Sequence, residues 1–211
     1  MTATDSLATS QTFAANRAVG EVAVEVRVVD GVTRRGAIHE VGSLRVRFPS
    51  PEQQGLSAVL VNTAGGVAGG DRFSVKLDVG EGARLTLTTA AAEKIYRSHG
   101  PAAQLDIGLS VAIGGHLAWL PQETILFDRA KAERSFAIDV AEGGSLLLAE
   151  MVIFGRAAMG ETMTSGRFID AGGCGSAASW CSPKRSGSMA ISPRCWRSRR
   201  WPKPASPSAR C

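Results

Sequence analysis

The chain reads as a mainly β protein: a layered, partly solenoidal β-sheet domain with little helix. Three observations predict this. Polar and apolar residues alternate with a period of two through segment after segment. Helix-period patterns are scarce. A motif of strand, Gly-containing turn and strand recurs at offsets near 30 residues.

Residues 1–18 are rich in Ala, Ser and Thr without periodicity and are expected to form a disordered leader. The sheet domain is expected over 19–170. Its first strand is Glu21 to Val28, where Val22, Val24, Val26 and Val28 alternate with Glu21, Ala23, Glu25 and Arg27, as a sheet with one wet face requires. Ser43 to Phe48 alternates in the same way and stops at Pro49 and Pro51. Phe73 to Val79 follows, and Arg84 to Thr89 comes after a Gly-containing turn that reads as a hairpin-like connection. The best helix candidate is Thr89 to Ser98, built around Ala90-Ala91-Ala92-Glu93-Lys94 and ended by Gly100-Pro101; an extended segment is the alternative.

Val79-Gly80-Glu81-Gly82-Ala83-Arg84-Leu85 resembles Val111-Ala112-Ile113-Gly114-Gly115-His116-Leu117, and both resemble Val140-Ala141-Glu142-Gly143-Gly144-Ser145-Leu146. Either one supersecondary unit stacks on the next, or Gly turns between strands look alike by chance.

Charge divides the chain at Asp170, its last acidic residue. Residues 1–170 carry 16 basic and 19 acidic groups, whereas residues 171–211 carry eight Lys or Arg and no acid. All four cysteines and three of four tryptophans also lie beyond Asp170, in a segment without strand or helix periodicity. Read one base out of step, with G or C in third positions, these codons can restore Asp-Arg-Trp-Arg-Val-Arg and Leu-Val-Phe-Ala-Glu-Ala. Residues 171–211 are therefore expected to be a non-native, disordered basic tail that follows a frameshift near residue 170. The alternative, a nucleic-acid-binding arm, is the weaker reading.

The body lacks the residues that several chemistries demand. Asn62-Thr63-Ala64-Gly65-Gly66-Val67-Ala68-Gly69-Gly70-Asp71 has no Gly-Lys-Ser/Thr ending for a phosphate loop, and a strand follows it instead of a helix. His39, His99 and His116 lie far apart, and residues 1–173 hold no cysteine, which argues against a closed zinc site. No Ser nucleophile elbow occurs. The expectation is a non-enzyme. The thiol-free body, the lack of a signal-peptide pattern and the lack of a long apolar run place it in the cytoplasm, away from membranes.

Four ordered segments carry a family resemblance. They are Asn62 to Asp71, Thr88 to Arg97, Leu120-Pro121-Gln122-Glu123-Thr124-Ile125-Leu126-Phe127, and Phe154-Gly155-Arg156-Ala157-Ala158-Met159-Gly160-Glu161. In this order and spacing, residues 20–170 resemble the urease accessory protein UreD (UreH) family, whose members run on beyond residue 211. The resemblance implies a β-rich, non-catalytic scaffold that binds apo-urease and the helical partner UreF, and through UreF the GTPase UreG. It also implies nickel in transit and no tightly bound cofactor. A non-urease solenoid or sandwich that binds carbohydrate or protein is the competing reading.

Ni²⁺ in transit needs exchangeable oxygen or imidazole ligands, since a thiolate cage would hold it too tightly. Glu123, Asp128 and Glu150 are the candidates for such a route. Glu123 and Glu150 are set among apolar strand residues, where an unpaired carboxylate is costly. A structural ion pair with Arg129, Arg134 or Arg156 is the plainer alternative for any one of them.

The frameshift expectation has a direct check. Sequencing the coding DNA through codon 170 should reveal a one-base shift that restores the acidic, alternating frame; an intact frame through Cys211 in independent isolates would defeat it.

Overall fold

Alternation decides which face of each strand turns inward. In Arg72–Val79, Phe73, Val75, Leu77 and Val79 are buried, while Arg72, Lys76 and Asp78 face solvent. The same pattern recurs along the chain, and the inward faces meet in one core that includes Leu77, Leu85, Leu87, Ile95, Leu109, Leu117 and Leu126.

The computed structural model describes residues 16–49, 55–175 and 187–191. Its strands are β1 (Val19–Val29), β2 (Val32–Gly42), β3 (Leu44–Arg47), β4 (Leu56–Asn62), β5 (Arg72–Val79), β6 (Arg84–Thr89), β7 (Glu93–Ile95), β8 (Ala103–Val111), β9 (His116–Trp119), β10 (Thr124–Leu126), β11 (Lys131–Val140), β12 (Ser145–Leu148), β13 (Val152–Phe154), β14 (Gly166–Gly175) and β15 (Gly187–Ile191). One 3₁₀ turn, Ala157–Met159, is the only helical element among the described residues. Among the described residues, no helix is long and apolar enough to cross a membrane.

The strands form three sheets. The largest has the order β15-β14-β11-β8-β5-β1-β2, the second β12-β9-β6-β4-β3 and the third β13-β10-β7. Chain order visits the sheets in rotation: β5, β6 and β7 make one coil, β8, β9 and β10 the next, and β11, β12 and β13 a third. Equivalent strands of successive coils pair in parallel. This is a three-sided solenoid, in which each coil buries its inner face on its neighbours. At the N-terminal side β1 and β4 add to β5 and β6 in parallel, and β2 and β3 close the two sheets by antiparallel pairing on β1 and β4.

The near-repeat is the register of this stack. Val79, Val111 and Val140 are paired across β5, β8 and β11, and Leu85, Leu117 and Leu146 across β6, β9 and β12. Between them lie identical turns. The N–H groups of Ala83, Gly115 and Gly144 donate to the carbonyls of Gly80, Ala112 and Ala141 at 3.1, 3.0 and 2.9 Å. The third residue of each turn, Gly82, Gly114 or Gly143, has φ of 64°, 68° or 76°, a region that penalises any Cβ.

One expectation needs correction, and one open alternative is decided. The turn between β5 and β6 is not hairpin-like: it is a corner, and the two strands lie in different sheets. Their ladder partners stand one coil away, so they have no need of each other. Thr89 to Ser98 is not helical. Residues Glu93–Ile95 are extended, because the carbonyl of Lys94 accepts from Val67 N at 2.8 Å, Glu93 N donates to Glu123 O at 2.9 Å and Ile95 O accepts from Phe127 N at 3.0 Å. Neighbouring coils thus claim the backbone groups that a ten-residue helix, marginal alone, would have used.

β14 runs on to Gly175, and Gly187–Ile191 pairs antiparallel with its first half. The rest of the expected tail, and most of the leader, lie outside the described residues.

Packing this regular separates core from corner in a denaturation test. Leu117→Ala, at a side chain with no exposure, should lower stability by about 2–5 kcal/mol. Ile113→Ala, at the neighbouring turn and 61 % exposed, should stay within about 0.5 kcal/mol of the parent. Urea midpoints of the two variants against the parent chain measure both.

Candidate functional site

The rotation of the coils brings acids that are far apart in sequence to one corner, where the five-stranded sheet gives way to the three-stranded one. Thr124 pairs with Glu93 on one side and with Val152 on the other. Glu93 opens β7, Glu123 immediately precedes β10, and Glu150 lies two residues before β13. Successive coils therefore each set a glutamate at or just before the start of the short strand.

The three carboxyls differ in environment. Glu93 shares the inward side of β7 with the buried Ile95, and its two oxygens accept from Asn62 Nδ2 at 3.2 and 3.3 Å. Burial pushes its pKa above 4.5, against the smaller opposing effects of Asn62 and Lys94. Glu123 is half-buried, and its carbonyl holds Glu93 N.

Glu150 accepts from Trp119 Nε1 at 2.7 Å and contacts Arg134 Nη1 through Oε2. Arg134 also grips Asp170, with Nη2 to Oδ2 at 2.6 Å and Nε to Oδ1 at 3.1 Å, and lies over the rings of Phe136 and Phe168 at 5.2 and 5.3 Å. Desolvation raises the Glu150 pKa; the attraction of Arg134 and the Trp119 bond offset part of this. The ion-pair alternative thus describes the resting partner of Glu150, with Arg134 as its cation.

Asp128 stands apart from this corner, beyond the far end of β10. Its Oδ1 accepts from Thr164 N and Oγ1, both at 2.8 Å, and from Ser165 N at 3.1 Å, and these bonds hold its pKa below the usual value. It fastens the segment that leads into β14.

Beside Asp128 opens a polar cleft of about 400 Å³, lined by Tyr96, Arg97, Phe127, Asp128, Arg156 and Glu161. Tyr96 donates to Gly65 O at 2.8 Å and meets Phe127 edge-on at 5.1 Å. Arg156 caps Phe127 at 3.9 Å and donates to Glu161 at 2.5 Å. All four of the segments singled out in the sequence contribute to this end of the short sheet.

Among the described residues, no group of three or more His, Cys, Asp or Glu side chains is gathered closely enough to cage a metal ion. The corner offers separate carboxyls spaced along the stack. Sequence reasoning missed Glu93, placed within the Thr89 to Ser98 helix candidate, and missed Trp119 as a donor. The signal for Glu93 was available in an acid placed between three alanines and Ile95.

The family model for the UreD urease accessory protein matches residues 18–172, the whole of this solenoid up to β14. The chain belongs to the UreD family. It is 80% identical over 171 residues to urease accessory protein UreD of Rhodopseudomonas palustris strain ATCC BAA-98 / CGA009, covering 81% of this chain and 61% of that protein. It is 78% identical over 165 residues to the UreD protein of R. palustris strain HaA2, covering 78% of this chain and 59% of the relative. The UreD protein of Bradyrhizobium diazoefficiens is 65% identical over 162 residues, covering 77% of this chain and 59% of its own length. The chain therefore matches about three-fifths of the length of these UreD relatives.

Acid titration tests the setting of Glu93. A carboxyl whose folded pKa is raised favours the protonated state, so its contribution to stability is complete below about pH 4.5 and is lost as pH rises through the folded value. Glu93→Gln is neutral at every pH and should flatten that part of the stability curve. Denaturation midpoints from about pH 4 to 8 compare the two chains; an unchanged slope would place Glu93 in water.

Proposed function

We propose that this chain acts in the maturation of urease as a non-catalytic cytoplasmic scaffold, and that the glutamate corner guides Ni²⁺ toward the enzyme. The observation that carries this reading is the recurrence of a glutamate at one corner in three successive coils, with Glu93 desolvated and helped only by neutral Asn62 and by Lys94. A desolvated carboxyl in that condition takes up a proton or a cation. Oxygen donors one coil apart bind a divalent ion weakly enough to release it, which suits cargo better than a resident cofactor. The absence of cysteine from residues 1–173 removes the ligand that would trap it.

In this reading Glu93 joins Glu123 and Glu150 on the route. Asp128, whose Oδ1 is committed to Thr164 and Ser165, shapes the loop instead. Apo-urease and UreF are the direct partners, and UreG is reached through UreF. Family membership supports the urease role; the nickel route and the partner set rest on the acids and on the resemblance of the four segments. The polar cleft, where those segments converge, is the part of the surface suited to a protein partner.

Replacing Glu93, Glu123 and Glu150 together by Gln keeps side-chain volume while removing charge. Urease activation by nickel in cells that depend on this chain should fall by roughly tenfold or more. Co-purification with UreF and apo-urease should be unchanged. Full activation by the triple variant would remove the nickel route, and loss of co-purification would make the acids structural.

A further inference from the structure

The two ends of the stack differ. At the N-terminal end each sheet edge is guarded. β2 carries Arg34 and Arg35 and bulges where Gly36 and Ala37 stand opposite Glu25. β3 carries Arg45 and Arg47. The outer edge of β7 is taken by Val67, whose N–H donates to Lys94 O and whose carbonyl accepts from Tyr96 N, both at 2.8 Å. Charges, bulges and covering loops are the devices that keep an edge strand from pairing with another chain.

β12 and β13, at the other end, have none of these. Among the described residues both are outermost in their sheets, and Ser145-Leu146-Leu147-Leu148 and Val152-Ile153-Phe154 hold no charge and no proline. Ser145 N and Ala149 N donate inward to Gly115 O and Trp119 O at 2.9 and 3.1 Å, and Gly155 N donates to Leu126 O at 2.8 Å. A parallel ladder engages alternate residues, so Leu146, Leu148, Val152 and Phe154 turn their N–H and C=O groups to the open side. Three core columns also end here in residues that water reaches: Leu85-Leu117-Leu146, Leu87-Trp119-Leu148 and Ile95-Leu126-Phe154.

β14 indicates what would cover them. It lies parallel on β11 as the first side of a fourth coil. In every complete coil the chain passes from the large sheet to the five-stranded sheet and then to the three-stranded one. The second and third sides of a fourth coil would therefore fall on β12 and β13. The match to the UreD family stops at residue 172, inside β14. The two-fifths of the R. palustris CGA009 relative left outside its match is several times the 32 or 29 residues that separate coils.

We propose that β12 and β13 are an acceptor edge for a second polypeptide: the part of a UreD chain that follows the matched region, added in parallel as the missing sides of the fourth coil. This chain then supplies one part of a UreD fold that two polypeptides complete. Pairing at these edges uses none of the corner carboxyls, so the acceptor edge and the nickel route stand or fall separately.

The probe is the portion of R. palustris CGA009 UreD C-terminal to the match, co-expressed with the full chain as a separate polypeptide. The two should co-purify as a one-to-one complex by light scattering. Amide exchange at Leu146, Leu148, Val152 and Phe154 should slow about tenfold or more in that complex, while β2 keeps its rates. Leu148→Pro removes an N–H that takes no part in the ladder to β9, a change an edge strand tolerates, and it should cut co-purification about tenfold. Exchange in the parent complex decides the matter even where the variant fails to fold. No complex, protection only elsewhere, or undiminished capture by Leu148→Pro would overturn the proposal. Slow exchange of the four amides in the chain alone would overturn it too, assigning the edge to a second copy where the slowing depends on concentration and to the chain's own remaining residues where it does not.

Discussion

Coil-to-coil pairing governs this molecule. β8, β9 and β10 each take ladder hydrogen bonds from the coil before and the coil after, so the register set at one turn passes unchanged to the next. Because side chains alternate, a slip of one residue in any coil would send its whole inward row to solvent. The three identical turns prevent that slip. Each closes with one backbone hydrogen bond and a glycine in the left-handed region, and each places the following Leu beneath its predecessor. The glutamate corner is a consequence of this translation.

The sequence made some of this legible and hid the rest for physical reasons. Strand positions were readable because each strand has one wet and one dry face. The offsets of 32 and 29 residues were readable because corners need glycine at a fixed place. The sheet to which a strand belongs was not: a tight Gly turn that reverses a hairpin and one that rounds a corner use the same residues. β7 stayed open between helix and strand because three residues are too few to show alternation, while the alanines before it favour helix wherever neighbours do not intervene. The glutamates at 123 and 150 were recognisable from their apolar surroundings. Glu93 escaped because its neighbour, Asn62, is 31 residues away.

Charge compensation varies along the corner. Arg134 is 7% exposed and faces two carboxylates, Glu150 and Asp170, with two aromatic rings against its plane. Removing one partner from a buried pair usually costs about 3–5 kcal/mol because the other is left uncompensated. Arg134 is therefore fixed in place by the last turn of the stack, and it joins β11, β14 and the approach to β13. Glu93 has only neutral Asn62 and the more distant Lys94 as help. Of the three acids it is the one whose protonation most readily answers to its surroundings, whereas Glu150 already has a resident cation that any metal would have to displace.

Burial in such a stack belongs to the position between coils more than to the residue. Leu87, Trp119 and Leu148 occupy one column across β6, β9 and β12. Leu87 and Trp119, each with a coil on both sides, are 0% and 3% exposed; Leu148, with a neighbour on one side only among the described residues, is 38% exposed. Leu147, Met151 and Ile153 are exposed in the same coil. An apolar column that remains apolar where it is uncovered fits an architecture that grows by adding coils, and the UreD relatives, of whose length this chain matches about three-fifths, have chain to add. Leu148 of β12 thus holds the ladder position that Leu87 and Trp119 fill in the core, and the half-buried Leu146 the position of Leu85 and Leu117.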